Sequence, residues 1–261
     1  MKLIVRCAAL VLTVFTLHAY GQMTNQVVDI PTRPGVTERV LVVAPPQPVA
    51  AVILFAGGEG ALGIQPDGSL DADENFLVRS RELFAGQGLY VVVVDAPSDH
   101  LSPPYMRGFR ETAEHVTDIR AVIAWVRLQT HLPVWLIGTS RGTQSAAWVG
   151  IHLAGDAGPD GLVLTSTILR DKLDQSVPEM ALDSLHIPVL VVHHEQDGCK
   201  LCPFGAVQGL MDKLVNVPRK QLIAETGGAD EGNPCQALAH HGYNGQEADV
   251  VRQIADWIRA K

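Results

Sequence analysis

A serine hydroxyl becomes a useful nucleophile when the chain presents it on a sharp turn beside a base, and the segment Gly138-Thr139-Ser140-Arg141-Gly142 has the composition for such a turn. It follows the apolar run 134–137 and leads into a small-residue stretch with Ser145-Ala146-Ala147. In a G-x-S-x-G turn between a strand and a helix, the glycines on either side let the two elements approach without a clashing Cβ, and the serine takes up a strained conformation. The same turn leaves the backbone N–H of Arg141 at the helix amino end, where an oxyanion would form. A serine is a poor nucleophile unaided, so a base must lie elsewhere in the chain.

His240 and His241 compete for that role in His240-His241-Gly242-Tyr243-Asn244-Gly245, just ahead of the terminal helical segment. The Gly242-Tyr243-x-Gly245 context that follows directly favours His241, which leaves His240 as a structural or solvent-facing residue. The acid expected to orient the base is Asp197, in the loop after the apolar run 189–192. A carboxylate there can accept a hydrogen bond from the far ring nitrogen, fix the tautomer and stabilise the imidazolium that forms. Glu195, Asp171 and Asp174 are its competitors. The chain order Ser140, Asp197, His241 is the order in which such triads occur on open α/β sheets.

Phe55-Ala56-Gly57-Gly58-Glu59-Gly60 follows the first buried run, and its glycines permit close approach of a backbone N–H to a substrate oxygen. The second oxyanion donor is assigned to Gly58 or Glu59. The spacing is not G-x-G-x-x-G, so a dinucleotide site is disfavoured and no cofactor is expected. Cys199 lies close to Asp197 and Cys235 close to His241, so a bond between them would tie the acid loop to the base loop, with Cys202 as the alternative partner. No second cysteine pair matches Cys199-x-x-Cys202, and the adjacent His193 and His194 on a strand end point to opposite sides, so no metal site is expected.

The elements that must position these residues show as apolar runs at 51–55, 89–94, 134–137, 161–164 and 189–192, the pattern of strands buried on both faces. Between them, stretches at 74–85, 112–128, 141–153, 204–214 and 246–258 have helical spacing, and the alternation predicts a parallel sheet covered by helices. Residues 39–44 are expected to form a strand at the sheet edge. In such sheets the reactive groups sit beyond the carboxyl ends of the strands, and each motif above falls in one of those loops. Residues 95–100 and 108–110 also lie near that face, but mostly as a solvated loop. His115 and Asp118, three apart on a helix, are expected to be a surface pair. Residues 165–188 leave room for about one short helical element, so no large lid is expected.

In strand and helix order, in Gly138-x-Ser140-x-Gly142, in the Asp197 loop and in His241-Gly242, the chain resembles the α/β-hydrolase superfamily over nearly all of residues 22–261. The resemblance implies a mostly parallel, roughly eight-stranded sheet flanked by helices, and acyl-serine chemistry, without specifying a substrate. Many esterases of the superfamily carry His-Gly ahead of the oxyanion loop, where this chain has Phe55-Ala56-Gly57.

At the amino terminus, Lys2 and Arg6 precede an apolar stretch that ends in Ala19-Tyr20-Gly21, the anatomy of a signal peptide. Cleavage after Gly21 leaves residues 22–261 as a single domain, periplasmic or secreted. The formal net charge of −8 becomes more negative on losing Lys2 and Arg6, which gives the chain no electrostatic reason to seek nucleic acid or an anionic bilayer. The expected partner is a small ester or acyl substrate. A peptidase, amidase or thioesterase on the same triad, or a binding protein that keeps the fold without turnover, are the alternatives.

Overall fold

A computed structural model describes residues 22–260; the expected signal peptide, 1–21, lies outside the described residues. The strands are β1 (Thr24–Arg33), β2 (Val36–Ala44), β3 (Ala50–Phe55), β4 (Leu89–Val94), β5 (Val134–Thr139), β6 (Gly161–Thr165), β7 (Val189–His194) and β8 (Lys220–Glu225). They form one eight-stranded sheet in the order β1-β2-β4-β3-β5-β6-β7-β8. The β1–β2 and β2–β4 pairs are antiparallel and every pair from β4 to β8 is parallel.

The expected central strands are wholly buried or nearly so, because helices cover both faces of the sheet. One apolar layer packs the sheet against α3 (Ala113–Thr130), α4 (Gly142–His152) and α5 (Val207–Lys213). The other packs it against α1 (Phe76–Arg79), α2 (Arg81–Gly86) and α6 (Glu247–Arg259).

Three expectations need correction. The strand at 39–44 does not lie at the edge: β2 is enclosed between β4 and β1, a half-exposed strand that pairs along nearly all of it. The single helix expected over 74–85 is two short ones that meet at Ser80, which caps the end of α1 and the start of α2. The segment between β6 and β7 holds two 3-10 turns, Val177–Glu179 and Leu182–Ser184, in place of one element. Neither forms a large lid over the carboxyl edge of the sheet.

Candidate active site

The turn at Ser140 is built as its composition demands. Ser140 has φ +52° between β5 and α4, a conformation that costs a non-glycine residue energy and persists only where the surroundings impose it. The Ser140 N–H donates to the Thr165 carbonyl at 3.0 Å, and the Ser140 carbonyl accepts from the Thr143 N–H at 2.9 Å and from its hydroxyl at 2.6 Å. A Cβ at Gly138 would strike the backbone of Gly142, and one at Gly142 would strike the Phe55 carbonyl, so both positions are closed to larger residues.

His241 and Asp197 meet from separate loops. The His241 Nδ1–H donates to Asp197 Oδ2 at 2.8 Å, while Asp197 Oδ1 accepts from the Cys199 N–H at 2.9 Å. Both side chains are buried, which strengthens a charged hydrogen bond relative to water. His241 Nε2 is buried without a hydrogen-bond partner, and His241 and Ser140 line the same cavity, of about 620 Å³. With the carboxylate on the opposite nitrogen fixing the tautomer, the unpartnered Nε2 can accept a proton from a hydroxyl in that cavity, and such bonds often tighten only when substrate is present.

The competing residues lie elsewhere. Arg141 Nη1 donates to Asp171 at 2.8 Å and Asp174 at 3.0 Å, which occupies both carboxylates. Glu195 is exposed. His240 stacks on His194 with ring centroids 4.2 Å apart, and its N–H donates to Asp230.

Several fastenings hold the base. Cys199 and Cys235 form a disulfide, and Cys202 is left as a buried thiol whose pKa burial pushes up. The Tyr243 hydroxyl donates to the Val192 carbonyl at 2.8 Å and accepts from the Ser166 N–H at 3.0 Å, while the Ser166 hydroxyl donates to the His241 carbonyl at 2.7 Å. Arg79 donates to the Gly242 carbonyl at 2.6 Å and pairs with Glu247 at 2.8 Å. The Cys199 and Cys202 sulfurs and a ring nitrogen of His241 lie within 4.8 Å of one another, but the Cys199 sulfur is bonded to Cys235 and offers no thiolate to a metal.

The loop expected to supply the second oxyanion donor is positioned by two residues that the sequence pattern places in a solvated loop. Arg110 is buried; it donates to the Gly58 carbonyl at 3.2 Å and to the Ser145 hydroxyl at 3.0 Å, and burial, with the nearby Arg141 charge, pushes its pKa down to about 10. Asp95, at the end of β4, accepts from the N–H groups of Leu62 at 2.6 Å, Ile64 at 2.7 Å and Ala96 at 2.8 Å. The expected donors Gly58 and Glu59 line the cavity with Arg141, and among the described residues no acceptor takes the N–H of any of the three. A Cβ at Gly57 would lie 2.9 Å from the Ser140 Cβ, so the loop passes directly over the nucleophile.

His115 and Asp118, expected at the surface, are fully buried. Asp118 is paired with Arg33 at 2.8 Å. His115 has no partner on either ring nitrogen, and burial, reinforced by the Arg110 charge, pushes its pKa down to about 3.

Sheet order, strand directions and the serine turn together define the α/β-hydrolase fold, and solved structures match it over nearly the whole chain. A dienelactone hydrolase from Anabaena variabilis superposes with a TM-score of 0.63 at 14% identity, covering 91% of this chain and 98% of that one. A cold-adapted esterase from an Arctic intertidal metagenomic library gives 0.60 at 15% identity, covering 92% and 96%. A Xanthomonas campestris protein described as an α/β serine hydrolase without a lid gives 0.57 at 17% identity, covering 92% and 97%. No family model matches the chain, and no curated protein matches it in sequence.

Proposed function

We propose that this chain is an exported serine hydrolase that cleaves a carboxylic ester through an acyl-serine intermediate, with Ser140 as nucleophile, His241 as base and Asp197 as the orienting acid. The observation that carries the reading is the convergence on one cavity of a strained Ser140 and a buried His241 whose Nδ1–H is held by Asp197 while its Nε2 is left unpartnered. His241 Nε2 takes the Ser140 proton as Oγ bonds to the ester carbonyl carbon. The N–H groups of Arg141 and of Gly58 or Glu59 stabilise the resulting oxyanion. The C–O bond to the alcohol then breaks as His241 returns the proton to the leaving oxygen, and water, deprotonated by the same histidine, releases the acid.

An ester is favoured over an amide or thioester because several structural neighbours are described as esterases. Export is favoured by the residues at 1–21 and by a Cys199–Cys235 disulfide, which persists in an oxidising compartment. The deciding experiment is fluorophosphonate labelling of the purified protein beside Ser140→Ala and His241→Ala, followed by hydrolysis of p-nitrophenyl esters of increasing chain length. Labelling at Ser140 that both variants abolish, with turnover lowered by about 10⁴-fold or more, is the expected result. A wild type that neither labels nor turns over any ester would overturn the reading. Intact mass of the exported protein is expected to begin at Gln22.

A further inference from the structure

The cavity over Ser140 is electrostatically one-sided. Glu59, Asp71, Asp73 and Glu74 line it along the segment after β3, and all of them are exposed to solvent. Among the described residues none of these carboxylates has a cationic partner. Of Glu74, Arg79 reaches the main-chain carbonyl and not the carboxylate; its guanidinium is otherwise taken up by Glu247 and the Gly242 carbonyl. Among the described residues the one arginine or lysine that lines the cavity, Arg141, is held between Asp171 and Asp174, so its charge is already matched. Leu201, Gln236 and Ala237, which also line it, are uncharged. His241 lines the same cavity, only 4% exposed and with its Nε2 unpartnered, which marks where the reacting carbonyl must sit.

A cleft lined by one sign of charge focuses the field, concentrates ions of the opposite sign, and accelerates their capture by a factor that falls with ionic strength. A leaving group or acyl chain that carries a cation gains from lying along the 71–74 wall. One that carries a carboxylate meets repulsion, with no free arginine or lysine to offset it.

We propose that the substrate of this site carries a positive charge, an ammonium or quaternary ammonium group on the side of the scissile ester that faces Asp71, Asp73 and Glu74. The assignment rests on the serine-hydrolase reading above and names the chemical class that site selects.

Hydrolysis of butyrylcholine against 3,3-dimethylbutyl butyrate, which replaces the quaternary nitrogen by carbon at nearly constant shape, isolates the charge. The expected kcat/KM ratio favours the cation on the order of tenfold at about 20 mM salt and falls towards unity at about 500 mM. In Asp71→Asn/Asp73→Asn/Glu74→Gln the ratio collapses at both salt concentrations; the ratio, not the absolute rate, is the readout. If that variant does not fold, the salt series on the wild type still decides. A wild-type ratio near unity at low salt, or a labelled enzyme that hydrolyses neither ester, overturns the charge assignment and leaves the nucleophile standing. A wild type that neither reacts with fluorophosphonate nor hydrolyses either ester removes both.

Discussion

The base limb, residues 195–245, is held by a disulfide, by the Tyr243 hydroxyl bridging β7 and Ser166, and by Arg79 on the Gly242 carbonyl. The limb expected to supply the second oxyanion donor, residues 56–75, is held largely by charged side chains: the buried Arg110 and Asp95 on its carbonyls and N–H groups, Arg39 on the Ile64 carbonyl and Arg79 on the Glu74 carbonyl. Beneath it lie further buried ionisable groups: His115, packed against Phe55 and Phe109, and Glu38, whose carboxylate has no partner. Redundant, mostly uncharged fastening tolerates the loss of one member. A limb that depends on single buried charges does not, because removing one leaves desolvated partners unsatisfied. The base limb is therefore expected to be the more robust of the two, and the other limb the more fragile.

The largest effect tests the one contact in the base limb that acts on the chemistry itself. Asp197→Asn keeps the shape but permits the wrong imidazole tautomer, so kcat is expected to fall on the order of 10⁴-fold with little change in thermal stability. A fall of less than tenfold would mean that another carboxylate orients His241. Next comes the oxyanion limb. Arg110→Met leaves the Gly58 carbonyl and the Ser145 hydroxyl without their donor, and kcat is expected to drop by about 10²-fold while KM for a neutral ester changes little. Arg110→Lys should restore part of the loss, since it can still reach one carbonyl. If KM rises and kcat holds, Arg110 acts on binding and not on the alignment of the loop.

These two regions also differ in how far the sequence revealed them. That Ser140 and His241 come to one cavity is legible because their signals are local: glycines at fixed offsets in a strand-to-helix turn, and a Gly-Tyr context before the last helix. Arg110, Asp95, His115 and Asp118 were read as solvated because a charged side chain in a loop or at the start of a helix gives no spacing signal of its burial; that is decided by carbonyls and N–H groups contributed from distant elements. The position of Asp95 directly after the run 89–94 was the one available hint, since a carboxylate at the end of a buried strand needs donors. β1 and β8 escaped notice for a related reason. As edge strands they are half exposed and polar, and lack the continuous apolar run that marked the strands between them.

Stability measurements extend the comparison. Cys199→Ser/Cys235→Ser opens a loop of sequence separation 36, and a loss of roughly 2–4 kcal/mol in unfolding free energy is expected. Activity at a temperature where the variant is folded should stay within about threefold of wild type, because Tyr243 and Arg79 still hold the base. A large fall in kcat would show that the limb depends on the disulfide alone. The Glu38 carboxyl is pushed well above its ordinary value by burial, with Asp118 and Asp95 adding to the effect. Its proton is therefore retained in the folded state and released on unfolding above about pH 4.5, so its contribution to stability declines as pH rises. Glu38→Gln is expected to flatten that decline and to be more stable than wild type at pH 8, as read by chemical denaturation across the pH range.

Tyr243→Phe gives the smallest change. It removes one hydroxyl from the Val192 carbonyl and the Ser166 N–H, which keep each other as partners at 3.1 Å, so the cost in stability is about 1 kcal/mol. The ring, packed on Phe76 at 4.8 Å, stays in place, and the Ser166 hydroxyl and Arg79 still hold the backbone of His241 and Gly242. Catalysis should therefore fall by no more than a few-fold, with an unchanged pH profile. A large fall in kcat, or a displaced profile, would place the control of His241 in this hydroxyl and erase the contrast between a limb with mostly uncharged fastenings and one that depends on charged side chains.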